Sequence, residues 1–190
     1  MYISEAIKTV KHLSIGQLIS QGSYSAVFLP SESWSSKNDN LLLLTTNYEK
    51  FIFQKKLFSM YGLNLETETP IEVSSGIYLY EVPKLIEIEF AFPSLVVDGF
   101  DHVSQKFNYD YVDVSHENEM GNSAYSFFCK YVGESFSGSF IGQIQSSISI
   151  AEYALIECGL HGVRWDLTEC QFLYSKTGDL ICVDPVIFDD

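Results

Sequence analysis

The pattern that most limits the fold lies late in the chain. Between Phe140 and Cys158, apolar residues recur at intervals of three and four: Ile141, Ile144, Ile148, Ala151, Leu155 and Cys158. That spacing predicts a long amphipathic helix, and Gly159 supplies its stop. Two short strand-like runs follow, Gln171–Tyr174 and Leu180–Val183, joined by the turn Ser175-Lys176-Thr177-Gly178-Asp179. The first half reads differently. Residues 2–13 suit a short leading helix, and Ser14–Ser20 and Tyr24–Leu29 suit two strands about Gln21-Gly22-Ser23, the second stopped by Pro30. Ser31–Asn40 is a polar loop with almost nothing to bury, and Leu41–Thr45 is a short buried strand. Asn47–Tyr61 reads as a helix with Tyr48, Phe51, Ile52 and Phe58 near one face, while Glu49, Lys50, Lys55 and Lys56 decorate the rest and Gly62 ends it. Ile71–Val82 holds two strands around Ser75-Gly76. In the run ending at Pro93, Ile86, Ile88, Phe90 and Phe92 alternate with Glu87 and Glu89. The expectation is an α+β chain, with a mostly antiparallel sheet and one helix over residues 1–93 and a smaller, partly helical region over 94–190.

Composition enters through what it excludes. Hydrophobic residues are 46% of the 190 and aromatics 15%, enough for a sizeable core, so general disorder is ruled out. Eleven Lys and Arg against 25 Asp and Glu give a net charge of −14. Phosphate neutralisation needs basic side chains in quantity, so direct nucleic-acid binding through a basic face is not expected, nor attachment to an anionic membrane. The acid is uneven: residues 1–93 hold 7 bases and 10 acids, residues 94–190 hold 4 bases and 15 acids. That imbalance fits either a solvated surface or an acidic face built to meet a basic partner. Glu5, Lys8 and Lys11 interrupt the opening residues, so a signal peptide is not expected, and no apolar run is long enough to span a membrane. Cys129, Cys158, Cys170 and Cys182 share no CxxC spacing and read as reduced, buried thiols of a cytoplasmic protein.

Two segments carry chemistry. Asp166 lies in a loop, Gln171 follows five residues later and Asp184 closes the second strand of the hairpin. Phosphoryl transfer needs a carboxylate near the attacking hydroxyl and oxygen ligands for Mg²⁺ beside the nucleotide phosphates, and a hairpin flanked by two acids delivers both. The other segment is Ser20-Gln21-Gly22-Ser23-Tyr24-Ser25-Ala26-Val27. It has the layout of a phosphate-covering hairpin, with small residues where the backbone must approach phosphate oxygens and Val27 placed to lie under an adenine ring. Asp98-Gly99-Phe100-Asp101-His102, His116-Glu117-Asn118-Glu119 and Gly133-Glu134-Ser135-Phe136-Ser137 read as surface loops, His161 as a helix-end cap and Trp165 as a packing residue.

At these residues the chain resembles the protein kinase-like superfamily. His161-Gly162-Val163-Arg164-Trp165-Asp166-Leu167-Thr168-Glu169-Cys170-Gln171 is similar to its catalytic loop, and Leu180-Ile181-Cys182-Val183-Asp184-Pro185-Val186 to the strand that leads to its metal-binding Asp. Within the superfamily, Gly22–Phe28 and Asp184-Pro185-Val186 look most like the early protein kinases of short-tailed coliphages, which phosphorylate host proteins and help shut off host transcription. The resemblance implies a two-lobed fold with an N-lobe over 1–93 and a minimal C-lobe over 94–190. It implies Asp166 as the catalytic residue, Asp184 and Gln171 as Mg²⁺ ligands, and Gly22, Ser23, Tyr24, Ser25 and Val27 around ATP. The motifs are short, about a fifth of the residues, and they depart from the family pattern. Arg164-Trp165 precedes the catalytic Asp, Gln171 stands where an Asn is usual, and Ser20 and Ser25 replace glycines. Leu41-Leu42-Leu43-Leu44 has no Lys for the phosphates; Lys37 and Lys50 flank that strand, and Glu49 is the helix carboxylate that would pair with the missing Lys. The chain ends six residues after Asp184, so the activation segment is expected to be absent. The sequence leaves two readings open: a minimal Ser/Thr protein kinase or pseudokinase acting on a host protein, and a non-enzymatic acidic inhibitor or nucleic-acid mimic that binds a basic host or defence protein. The missing strand-three Lys favours a pseudoenzyme.

Overall fold

The computed structural model describes residues 2–34, 40–65, 67–87, 138–160, 163–165 and 172–187. Two compact units divide it, Met1–Lys84 and Leu85–Asp190. The expected loops at 98–102, 116–119 and 133–137, together with Cys129, His161, Asp166, Cys170 and Gln171, lie outside the described residues.

The first unit is a five-stranded antiparallel sheet with a helix over each face. Its elements are α1 (Ile3–Val10), β1 (Gly16–Gln21), β2 (Ser25–Pro30), β3 (Leu41–Thr45), α2 (Tyr48–Met60), β4 (Ile71–Ser74) and β5 (Ile77–Val82), with sheet order β1-β2-β3-β5-β4. Because side chains alternate along a strand, the register sorts the sheet into two faces. Ala26, Phe28, Leu42, Leu44, Ile77 and Leu79 form one, and they bury Ile3, Ala6 and Val10 of α1. The opposite face carries Val27, Leu43 and Tyr80 in one row and Ser25, Thr45 and Tyr78 in the next. There α2 packs, with the Phe51 and Tyr80 rings 4.9 Å apart and the Tyr80 hydroxyl donating to Gln54 Oε1 at 2.9 Å. β3 lies between β2 and β5 and is covered on both faces, which is why it reads as a run of leucines.

Both ends of α2 are fixed by short-range chemistry. Asn47 caps the start, its side chain accepting from Lys50 N at 3.2 Å. At the other end Gly62 takes a left-handed φ of 69°, Leu63 N donates to Phe58 O and Gly62 N to Ser59 O.

In the second unit, α3 (Gly138–Glu157) packs on β9 (Leu180–Cys182), which forms a hairpin with β8 (Phe172–Tyr174). Gly159 closes α3 with the same pair of bonds, from Leu160 N to Leu155 O and Gly159 N to Ile156 O. β6 (Ile86–Glu87) pairs with β8, so this strand belongs with the second unit. Ile86, which begins the alternating run of apolar residues in the sequence, is 42% exposed. β10 (Val186–Ile187) pairs antiparallel with β7 (Arg164–Trp165). No helix among the described residues is long and apolar enough to cross a membrane.

One glycine is irreplaceable for a steric reason. At Gly16, where β1 begins, φ is +150°, and an added Cβ would run into Leu29 O and come within 2.8 Å of Ser31 N, both backbone atoms. Gly16→Ala is therefore expected to destabilise the protein by about 2–3 kcal/mol, read as a lowered denaturation midpoint with unchanged slope.

Candidate functional site

The β1–β2 turn is tied down from three sides. Gly22 N donates to Ser25 O at 2.8 Å across the turn, and Ile3 N at the start of α1 donates to Ser23 O at 3.3 Å. Tyr24 O accepts twice from the end of the third strand, from Thr46 N and from Thr45 Oγ1, each at 3.2 Å. The carbonyls of Ser23, Tyr24 and Ser25 are thus all engaged by protein donors. The amides of Ser23 and Tyr24 make no hydrogen bond to a described residue, and Gly22, Ser23 and Tyr24 are exposed. Exposed successive amides in a turn are donors that solvent or a ligand can reach.

Beneath this turn lies a lysine that the sequence pattern assigned to solvent. Lys50 is 5% exposed, and its ammonium donates to Ser25 Oγ at 2.7 Å. The expectation that it decorates the outer face of α2 is corrected here. The buried face of α2 is Lys50, Phe51, Phe53, Gln54, Leu57 and Phe58, and Lys50, Gln54 and Leu57 follow one another at steps of four and three, near the middle of that face. Tyr48, expected inside, is 43% exposed and rests its ring edge on Tyr78 at 5.2 Å. Glu49, the helix carboxylate whose lysine partner the sequence lacks, is exposed. The signal that identifies Lys50 was present in the spacing, but a lysine reads as surface when faces are chosen by hydrophobicity alone.

The expected nucleotide residues occupy one hairpin. Gly22, Ser23 and Tyr24 form the tip, and Ser25 and Val27 are half-buried on the face that α2 covers, opposite Thr45 and Leu43. Thr45 Oγ1, besides donating to Tyr24 O, accepts from Asn47 N at 3.1 Å. The hairpin, the third strand and the helix cap are therefore one hydrogen-bonded circuit.

The second unit holds Asp184. It is half-buried, just beyond β9, and its carboxylate adds to burial in pushing the Cys182 thiol up. The β7–β10 ladder sets Val186 opposite Trp165, so the strand leading to position 166 runs beside the strand leaving position 184. Phe172 stands opposite Cys182 in the β8–β9 hairpin. Asp179 belongs to the turn instead: its carboxylate accepts from Thr177 Oγ1 at 2.6 Å and Ser175 Oγ at 3.2 Å. Among the described residues no group of three or more His, Cys, Asp and Glu could hold a metal ion, which leaves Asp184 as the described member of the expected ligand set. Cys182 is buried as expected while Cys158 is only half-buried, and neither forms a disulfide to a described residue.

Sequence reasoning missed one further acid. Glu152 on α3 is buried, its Oε1 has no hydrogen-bond partner among the described residues, and burial pushes its carboxyl up to about 7. Its spacing, four residues after Ile148 and three before Leu155, sets it on the buried face, but a glutamate reads as surface when faces are chosen by hydrophobicity alone.

No family model, no curated protein and no solved structure matches this chain.

Two outcomes are expected from these contacts. Thr45→Val removes a fully buried donor and leaves Tyr24 O and Asn47 N each short of a partner; a loss of about 1–3 kcal/mol is expected in denaturant unfolding. For Glu152 the folded-state value lies above the ordinary 4.5, so the protonated form favours folding and its contribution declines as pH rises from 4.5 to about 7. Glu152→Gln is expected to match wild type near the bottom of that window. Above it, the variant is expected to be more stable by something on the order of 2 kcal/mol, allowing for screening by water. Unfolding curves recorded on both proteins across the window check this.

Proposed function

We propose that this chain is a kinase-like nucleotide-binding protein of the phage early-kinase type that acts on a host protein. The observation that carries the proposal is the β1–β2 turn, whose carbonyls are engaged by the protein while the Ser23 and Tyr24 amides make no hydrogen bond to a described residue. On this reading ATP's phosphates lie against Gly22, Ser23, Tyr24 and Ser25, and Val27 contacts the base. Two further features support it. The elements run in the expected order, a small-residue hairpin, a third strand, a helix and a second hairpin, followed later by a long helix, a short hairpin and Asp184. The β7–β10 ladder also brings the chain that enters position 166 alongside the chain that leaves Asp184.

The roles divide by chemistry. Asp166 accepts or orients the proton of the attacking hydroxyl, and Asp184 with Gln171 provides oxygen ligands. Mg²⁺, when bound, neutralises charge on the phosphates. A Ser/Thr hydroxyl on a host protein is the acceptor if transfer occurs; without transfer the same site makes a nucleotide-dependent pseudokinase. Titration with Mg-ATP followed by calorimetry, and radiolabel transfer compared between wild type and Asp166→Ala, separate the cases. Saturable binding with transfer lost in Asp166→Ala supports the kinase. Binding with no transfer above the variant supports the pseudokinase, and no binding at all removes the nucleotide reading.

A second reading draws on charge. With 4 bases and 15 acids in residues 94–190, the chain would serve as an acidic inhibitor or nucleic-acid mimic for a basic host or defence protein. Association of that kind weakens steeply with salt. A host-protein complex unmoved by high salt counts against it.

A further inference from the structure

We propose that β1 is an interaction edge that pairs antiparallel with β1 of a second copy of this chain, continuing one sheet into the other across a twofold axis. The inference is independent of the nucleotide reading and starts from a contrast between the two edges of the five-stranded sheet. The order β1-β2-β3-β5-β4 leaves β1 and β4 with no strand of that sheet on their outer sides. An open edge is a template for another strand, and proteins that stay single blunt it with short strands, charges or proline. β4 is blunted in all three ways: it is four residues long, Pro70 stands immediately before it, and Glu72 lies exposed within it. β1 has none of these. It is six residues long and exposed throughout, and Leu13–Ser31 holds no Asp, Glu, Lys or Arg in a chain where these make up 19%.

What this edge offers is main chain and aliphatic side chains. Ser31 N donates to Ile15 O at 2.8 Å. In an antiparallel ladder alternate residues turn their N–H and C=O toward the partner. Gln17 therefore faces Leu29 with its main-chain groups, and Leu18 directs its own to the outer side, where no described strand pairs. Between Leu18 and Ser20 the register shifts, and the extra residue of this bulge is Ile19. A bulge re-aims a side chain. The one presented here is aliphatic and 54% exposed, next to Leu18 at 42%, with Leu29 of β2 at 44%. The occupant follows from chemistry and charge. A row of donors and acceptors is met by another extended chain, and an antiparallel twofold sets the edge against its own sequence, aliphatic against aliphatic. Two copies of a chain of net charge −14 repel wherever their acids meet. The uncharged run from Leu13 to Ser31 is a surface on which they meet without that repulsion. One strand falls well short of the ~800 Å² per partner of a stable dimer, so the association is weak, on the order of 10 μM to 1 mM.

The test reads oligomeric state against concentration. Sedimentation velocity on wild type, from about 5 μM to about 1 mM, is expected to show a monomer–dimer equilibrium and nothing larger, because a twofold pairing uses up the edge. Ile19→Lys and Ile71→Lys each add one positive charge at an exposed position, the first on β1 and the second on β4. Both therefore lower the net negative charge equally. Ile19→Lys is expected to weaken the dimer by at least about 5-fold, since the twofold brings two added ammonium groups near each other on the paired edge. Ile71→Lys is expected to leave it within about 2-fold, because its edge stays outside the contact. Circular dichroism establishes first that each variant is folded. A second measurement needs no variant: hydrogen exchange of wild type at the two ends of the range, read over Gly16–Gln21 and Ile71–Ser74. Exchange that slows with concentration over Gly16–Gln21 alone, together with the loss in Ile19→Lys, supports the proposal. A chain that stays monomeric throughout overturns it. So does growth beyond two copies, equal weakening in both variants, or exchange that slows elsewhere while Gly16–Gln21 is unchanged. If Ile19→Lys does not fold, the exchange result alone decides.

Discussion

The carbonyl of Tyr24 is where the first unit is joined. It accepts from Thr45 Oγ1 and Thr46 N; the same Thr45 hydroxyl accepts from Asn47 N; Asn47 Oδ1 accepts from Lys50 N; and the Lys50 ammonium returns to Ser25, next to Tyr24. The circuit closes on itself. It spans a turn, a strand end, a helix cap and a helix side chain, all within Tyr24–Ser25 and Thr45–Lys50. A buried polar network is stabilising only while its members stay matched, so this one fixes where α2 starts relative to the hairpin more sharply than apolar packing alone. The apolar contacts then extend the placement, through Phe51 on Tyr80 and Gln54 on the Tyr80 hydroxyl.

The same circuit explains why the third strand carries no cation. Leu42 and Leu44 face α1 and Leu43 faces α2, so an ammonium at any of these positions would lie in an apolar core. Position 45 is at the mouth, opposite Ser25, but a threonine there completes two bonds of the network, one as donor and one as acceptor. A lysine has donors only and would leave Asn47 N without its acceptor. With the strand and its end both committed, a cation at Ser25 has to arrive from the helix that covers the face.

Most elements were legible because their signals are local. The leading helix, the hairpin, the leucine strand, the helix closed by Gly62 and the long helix closed by Gly159 all depend on periodicity and on glycines that adopt left-handed φ, 69° at Gly62 and 66° at Gly159. The polar interior was not legible. Lys50 was grouped with Glu49, Lys55 and Lys56 by residue type, although its spacing to Gln54 and Leu57 sets it on the buried side. Thr45 looked like the last residue of a strand, since its partner, Tyr24 O, is 21 residues away in sequence. Ile86 has apolar neighbours at alternate positions but pairs into the second sheet and stays exposed. In each case the deciding partner was distant along the chain, and local pattern carries no information about it.

Placing the cation on a helix rather than a strand has an energetic consequence. A strand side chain is held by ladders on both sides and hardly moves relative to the sheet. Lys50 keeps its contact with Ser25 only while α2 stays seated on Tyr80 and Tyr78. A substitution on the far side of the helix, touching neither residue, then weakens the Lys50–Ser25 contact to the extent that it changes the seating. The Asn47 cap sits at the hinge of this relation, because it sets where the helix begins and so where the Lys50 side chain departs.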